Sequence, residues 1–76
     1  MTPHAFCAAV RDELAVERSD DAWVRGVHGL CEMYAGIEAP RFEAILVQVA
    51  AGRSGSALVD GARWLLPRWQ AAAKRA

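Results

Sequence analysis

Four stretches of this chain repeat apolar residues at helical spacing, and short breaks rich in Gly, Ser, Asp or Pro separate them. The composition agrees with this pattern, because 16 of the 76 residues are Ala, Asn is absent and Thr occurs once. Ala favours helices, whereas a small β-domain needs the turn-forming residues that are scarce here. We therefore predict a single all-α domain spanning residues 1–76, folded as a small compact bundle of about four helices.

The breaks predict helices at about 3–17, 20–35, 40–51 and 56–74. The first helix has a clear start, since the Thr2 side chain can cap it and Pro3 suits the first helical position. Pro40 suits the first turn of helix three for the same reason, because a missing N–H costs nothing there.

Three Ser residues are candidate caps for helices two and four, and one Pro interrupts the last helix. Ser19 is a good N-cap for helix two, and Ser54 or Ser56 can cap helix four. Pro67 removes a backbone hydrogen bond inside the last helix. We therefore expect that helix to be kinked or split at Pro67.

Helical spacing also assigns one apolar face to each segment. The predicted core is formed by Phe6, Cys7, Val10 and Leu14; by Trp23, Val27, Leu30, Cys31 and Tyr34; by Phe42, Ile45, Leu46 and Val49; and by Leu58, Ala62, Leu65 and Trp69. Ala22, Gly26 and Gly29 form a second strip of small residues on helix two. Each helical Gly costs ~1 kcal/mol relative to Ala, so we expect another backbone to approach this strip closely.

All the His and Cys residues occur in two His-x-x-Cys pairs, His4 with Cys7 and His28 with Cys31. An antiparallel hairpin of helices one and two would bring Cys7 level with Cys31. Two His and two Cys can bind tetrahedral zinc, so a zinc site that staples this hairpin is one hypothesis. The alternatives are a Cys7–Cys31 disulfide and plain packing of both Cys in the core.

The formal net charge of zero hides an uneven distribution. Residues 1–51 carry eight acidic side chains and four Arg, whereas residues 52–76 carry five basic side chains against Asp60. The basic C-terminal segment either docks onto the acidic body of the protein or faces an anionic partner.

Two Cys are too few for a disulfide framework, which favours a reducing compartment. The sequence shows neither a basic-then-apolar leader nor an apolar run long enough to span a membrane. We therefore expect a cytoplasmic protein that does not enter a membrane.

The sequence has no nucleophile elbow, phosphate-cradling Gly loop or His-Glu-x-x-His pair, so we expect no catalytic activity.

Residues 42–64 can be read as a helix-turn-helix with Gly52 in the turn. Arg53, however, stands where an apolar residue would anchor that motif, and the second helix offers few base-reading side chains. Nucleic-acid binding by the basic C-terminal helix is therefore a weaker alternative.

Trp64 lies, by helical angle, away from the core face of the last helix. Asp60 and Arg68 are one turn either side of it, and Arg63 is adjacent. An exposed Trp flanked by Arg is typical of a binding hot spot. The alternative is that a kink at Pro67 re-aims the helix and buries Trp64 against helix one or helix two.

We expect a non-catalytic module that regulates or inhibits a larger protein by binding it, as small phage- or plasmid-encoded modulators do. Self-association as a homodimer is compatible with this expectation. The predicted partner-binding residues are Trp64, Arg63, Arg68, Asp60 and Arg53. A zinc-stapled helical hairpin and a nucleic-acid-binding domain are the two alternative functions.

Overall fold

Four helices make up the fold, and the predicted all-α bundle is confirmed. The computed structural model describes residues 1–17, 21–53 and 55–75. The helices are α1 (Pro3–Glu17), α2 (Ala22–Tyr34), α3 (Ala39–Ala50) and α4 (Ala57–Arg75). No strand occurs in this described part of the chain, and every helix end lies within two residues of its predicted position.

The starts of α1 and α2 differ in how they are capped. The Ala5 N–H donates to Thr2 Oγ1 at 3.1 Å, which confirms the predicted cap of α1. Helix α2 begins two residues later than predicted, with Asp21 in the N-cap position and no side-chain hydrogen bond from its cap. Ser19, the predicted cap, and Asp20 lie outside the described residues.

The other predicted helix starts, and the predicted kink or split at Pro67, lie in the second half of the chain. Pro40 lies in the first turn of α3, as expected. Ser54 lies outside the described residues, whereas Ser56 directly precedes α4 and its carbonyl accepts the N–H of Asp60 at 3.0 Å. Helix α4 continues through Pro67, which excludes a split at that residue. The exposed position of Pro67 keeps its ring away from the core.

The predicted apolar faces of the helices meet in one core. Its buried side chains are Phe6, Cys7, Val10, Leu14, Val24, Val27, Leu30, Cys31, Phe42, Leu46, Ala62, Leu65 and Trp69. Two predicted core residues depart from the prediction: Leu58 is 40% exposed at the start of α4, and Ile45 is only half-buried and lies outside this core. The most extensive helix pairs are α2 with α4 and α3 with α4, so α4 lies between two partners.

Three aromatic side chains join α1, α3 and α4 at one end of the core. Phe6 and Phe42 both meet Trp69 edge to face, with ring centroids 5.2 and 5.0 Å away. Such pairs contribute about 0.5–1.5 kcal/mol beyond the area that they bury. The indole Nε1–H of Trp69 donates to Glu43 Oε1 at 3.1 Å, so the one polar group of this cluster is satisfied.

Helices α2 and α4 approach most closely at Gly26 and Gly61. A Cβ on Gly26 would overlap the carbonyl group of Ala57, and one on Gly61 would lie 2.7 Å from the backbone of Gly26 and Val27. The predicted close approach is therefore confirmed at Gly26. At Gly29 the space is looser, since a Cβ there would meet only the Leu58 side chain at 3.7 Å.

Among the residues that the structure describes, no helix has both the length and the apolar character that a bilayer crossing requires.

Candidate functional site

Trp64 lies at the surface of α4 in a stack of three side chains. Its indole ring packs on Trp23 of α2, with centroids 5.4 Å apart and planes tilted by 34°. The guanidinium carbon of Arg68 lies 3.8 Å above the Trp64 ring on α4. We call Trp23, Trp64 and Arg68 the Trp–Arg stack.

The two indoles of the Trp–Arg stack are half-buried, and both pack against the core. The sequence left Trp64 either exposed or buried against helix one or helix two. In the structure it packs against Trp23 of α2 and keeps part of its ring at the surface. The Arg68 side chain is exposed, and its Nη1 donates to the Trp64 carbonyl at 3.1 Å. This hydrogen bond and the cation–π contact hold the guanidinium in one place.

Arg63 has a different role from the one that the sequence suggested. Its Nε donates to the Ala50 carbonyl at 2.9 Å, and its Nη2 donates to the Gly52 carbonyl at 2.7 Å. Carbonyls at the end of a helix lack intrahelical partners and carry the negative end of the helix dipole. Arg63 therefore caps α3 from α4, although part of its side chain is exposed.

The other two predicted partner-binding residues are Asp60 and Arg53. Asp60 is half-buried on α4, one turn before Trp64. Arg53 is exposed in the connection between α3 and α4. Four of the five predicted residues thus lie on α4 and Arg53 precedes it, but the Arg63 guanidinium is bonded to carbonyls at the end of α3.

A shallow groove between α1 and α4 adjoins the Trp–Arg stack. Its volume is about 250 Å³, and it is lined by Phe6, Ala9, Val10, Glu13 and Arg68. Arg68 therefore borders both the Trp64 ring and an apolar groove that has an acidic side chain, Glu13, on its wall.

Sequence reasoning missed Trp23 and this groove. Helical spacing assigned Trp23 to the core face of α2, because a single helix gives no information about which neighbour covers it. The four-residue spacing of Trp64 and Arg68 on one helix was the available signal for their contact.

The structure brings together only part of the predicted zinc ligand set. Cys7 of α1 and Cys31 of α2 are both buried in the same core. His4 is exposed, and His28 lines a groove on the outer side of α2 with Val24 and Glu32.

The two histidines do not join the cysteines. Within residues 1–17, 21–53 and 55–75, no group of three or more His, Cys, Asp or Glu side chains is placed to hold a metal ion. The four-ligand site that would staple the hairpin is therefore not assembled. The physical reason is that each His, three residues from its Cys, points to the edge of its helix rather than into the interface.

The pKa values of the Cys7 and Cys31 thiols shift in opposite directions. The hydrogen bond from Cys31 lowers the pKa of Cys7; burial opposes this effect, and the positive charge of Arg11 adds to it. The same hydrogen bond raises the pKa of Cys31, and burial raises it further. Cys7 is therefore the more acidic of the two thiols. Both are free thiols in the structure.

Comparison of the chain with protein-family models, with curated proteins and with solved structures finds no match. Its function has to be inferred from the geometry of its own residues.

Proposed function

We propose that this chain is a non-catalytic protein–protein interaction module, a small regulator or inhibitor that binds a larger protein through the Trp–Arg stack. The observation that carries the proposal is the Arg68 guanidinium, which lies 3.8 Å above Trp64 at the surface of α4. Trp and Arg are the residue types most enriched among binding hot spots.

The stack lowers the entropic cost of binding. A free Arg side chain loses up to ~2 kcal/mol of rotamer entropy when a partner immobilises it. Here the Trp64 carbonyl and ring already hold Arg68, and Trp23 supports the ring from below. A partner therefore meets a surface that is largely preorganised, which favours affinity.

Charge favours an acidic surface on the partner. Residues 52–76 carry five basic side chains and one acidic one, against four Arg and eight acidic side chains in residues 1–51. A guanidinium that faces outward from an aromatic ring can form a bidentate pair with a carboxylate. Arg68 and Arg53 are the exposed candidates for such pairs, since Arg63 is engaged at the end of α3.

The test is charge reversal at Arg68 with a matched control. Arg68→Glu removes the stacked cation, whereas Arg41→Glu makes the same charge change at an exposed position on α3. Affinity capture from the source cells with the wild-type chain identifies a candidate partner, which is then purified and titrated calorimetrically with each variant. We expect Arg68→Glu to raise Kd roughly 30-fold, because losing a hot-spot Arg costs about 2 kcal/mol, and Arg41→Glu to change Kd little.

Two outcomes would count against the proposal. One is a purified partner that binds the folded Arg68→Glu variant as tightly as the wild type. The other is a complex that nuclease dissolves and low salt strengthens, because phosphate contacts behave in this way and would support the nucleic-acid alternative. Arg63 is unsuitable for this test, since its replacement also releases the end of α3.

A further inference from the structure

The groove between α1 and α4 results from a change of side-chain size along α1. Phe6 meets Trp69 of α4 edge to face, with ring centroids 5.2 Å apart, so two bulky rings separate the helices there. One turn further along α1, Ala9 is exposed and too small to fill the space between the helices. The gap that remains measures about 250 Å³, and Phe6, Ala9 and Val10 line it. Sites that enclose a whole drug-sized molecule measure ~300–1,000 Å³, so this groove suits one large side chain instead.

Charged side chains on both helices decide what can accompany that side chain. Arg68 lines the groove from α4, and the ring and carbonyl of Trp64 hold its guanidinium in place. A guanidinium has five N–H donors, and the bond to the Trp64 carbonyl uses one of them, so this exposed group can also donate to a carboxylate. Glu13 lies exposed on the α1 side and would repel a second carboxylate. The groove therefore favours an occupant with one carboxylate beside an apolar group.

Building on the proposed function, we propose that this groove binds a short acidic–apolar segment of the partner protein. A large apolar side chain of the segment lies against Phe6 and Val10, and a neighbouring Asp or Glu pairs with Arg68. Burying the apolar side chain removes surface of both proteins from water, which supplies affinity. The Trp–Arg stack supplies the charged anchor beside it, and hot spots of binding concentrate in such desolvated pockets.

Ala9 is the position at which the groove can be closed without changing Arg68. Ala9→Leu places an aliphatic side chain in the space that the partner would fill. Because Ala9 is exposed and Leu is nearly as good a helix former as Ala, the variant should stay folded. Ala8→Leu is the matched control, since it makes the same change at an exposed position of α1 outside the groove. Circular dichroism checks that both variants keep the helical content of the wild type.

The probe is a phage-displayed library of random dodecapeptides, panned on the immobilised full chain. We expect the enriched peptides to share a large apolar residue close to an Asp or Glu. Fluorescence anisotropy then measures the Kd of an enriched peptide for the wild type and for each variant. Ala9→Leu should raise this Kd roughly 10- to 100-fold, the value of burying one large apolar side chain, whereas Ala8→Leu should change it little. Arg68→Glu should also weaken the peptide, because it replaces the cation that pairs with the carboxylate.

Three results would overturn the proposal: a library that yields no binding peptide, enriched peptides that lack an acidic residue, or peptides that bind Ala9→Leu as tightly as the wild type. The purified partner separates this failure from that of the proposed function. A partner weakened by Arg68→Glu but not by Ala9→Leu would leave the Trp–Arg stack as the binding surface and exclude the groove. A partner that binds both variants like the wild type would exclude both proposals.

Discussion

The close approach of α2 and α4 gives the sharpest prediction about this fold. Replacing Gly26 with Ala adds one methyl group where the helices cross. That Cβ would overlap the carbonyl oxygen of Ala57 and lie 2.5 Å from its carbonyl carbon. Both atoms belong to the backbone, so no side-chain rotation can relieve the overlap. The helices have to move apart or shift along each other.

The size of the effect follows from the distance. Carbon atoms pack best at ~3.5–4.0 Å, so the crossing has to open by about 1 Å at this point. A gap of that size forfeits a quarter to a half of the dispersion energy of the atoms that face it. The buried apolar side chains of α2 and α4 include Val27, Leu30 and Leu65, each worth about 1.5–3 kcal/mol when fully buried.

Losing that fraction for three side chains amounts to ~2–4 kcal/mol, and the better helix propensity of Ala returns ~1 kcal/mol. We therefore expect a net loss of about 1–3 kcal/mol for Gly26→Ala, within the range measured for overpacked cores. A domain of this length has about 4–11 kcal/mol of stability in total, so Tm should fall by roughly 5–20 °C.

Gly29→Ala is the matched control, because it makes the same change in the same helix, three residues further on. A Cβ at Gly29 meets only Leu58 Cδ2 at 3.7 Å, an ordinary contact. We expect that variant to gain up to ~1 kcal/mol from helix propensity. Thermal and urea denaturation followed by circular dichroism would measure both. Equal stability of the two variants would refute the reasoning, because the structure assigns them opposite signs.

Two further predictions concern stability. Arg63→Ala should lower the free energy of unfolding by about 1 kcal/mol, because it removes two charged hydrogen bonds from the end of α3. Amide hydrogen exchange at Gly52 should also become faster. The control Arg41→Ala, at an exposed site, should change neither quantity. Gly36→Ala should raise the free energy of unfolding, measured by urea denaturation, by about 0.4–1 kcal/mol, because nothing lies within 4 Å of the added Cβ and the φ of Gly36 is not positive. A lower free energy of unfolding would show that this turn needs Gly.

Much of the fold could be predicted because the signals are local. The Thr2 cap, the Pro3 and Pro40 positions and the spacing of apolar residues each depend on neighbours within one or two helical turns. The burial of Cys7 and Cys31 in one core also followed, since each lies on the apolar face of its own helix. The start of α2 was less accurate, because Asp20 and Asp21 both suit a first turn.

The candidate site could be predicted only in part. The spacing of Trp64 and Arg68 placed two members of the stack on one helix, and the structure keeps them in contact. Arg63 was assigned to the same surface because its sequence position says nothing about the end of α3, which lies 11 to 13 residues away along the chain. The position of the two histidines was likewise undecided, since residues at the edge of a helix face can turn into an interface or away from it.

The sequence by itself therefore determined the four helices, their apolar faces and the uneven distribution of charge. Those features depend on periodicity, capping and composition, which are properties of short segments. The tertiary structure decided which surfaces meet: Gly26 with Gly61, Trp23 with Trp64, and the Arg63 guanidinium with the end of α3. These contacts arise only when distant segments pack, because the angle and depth of each helix crossing depend on all the side chains between the helices.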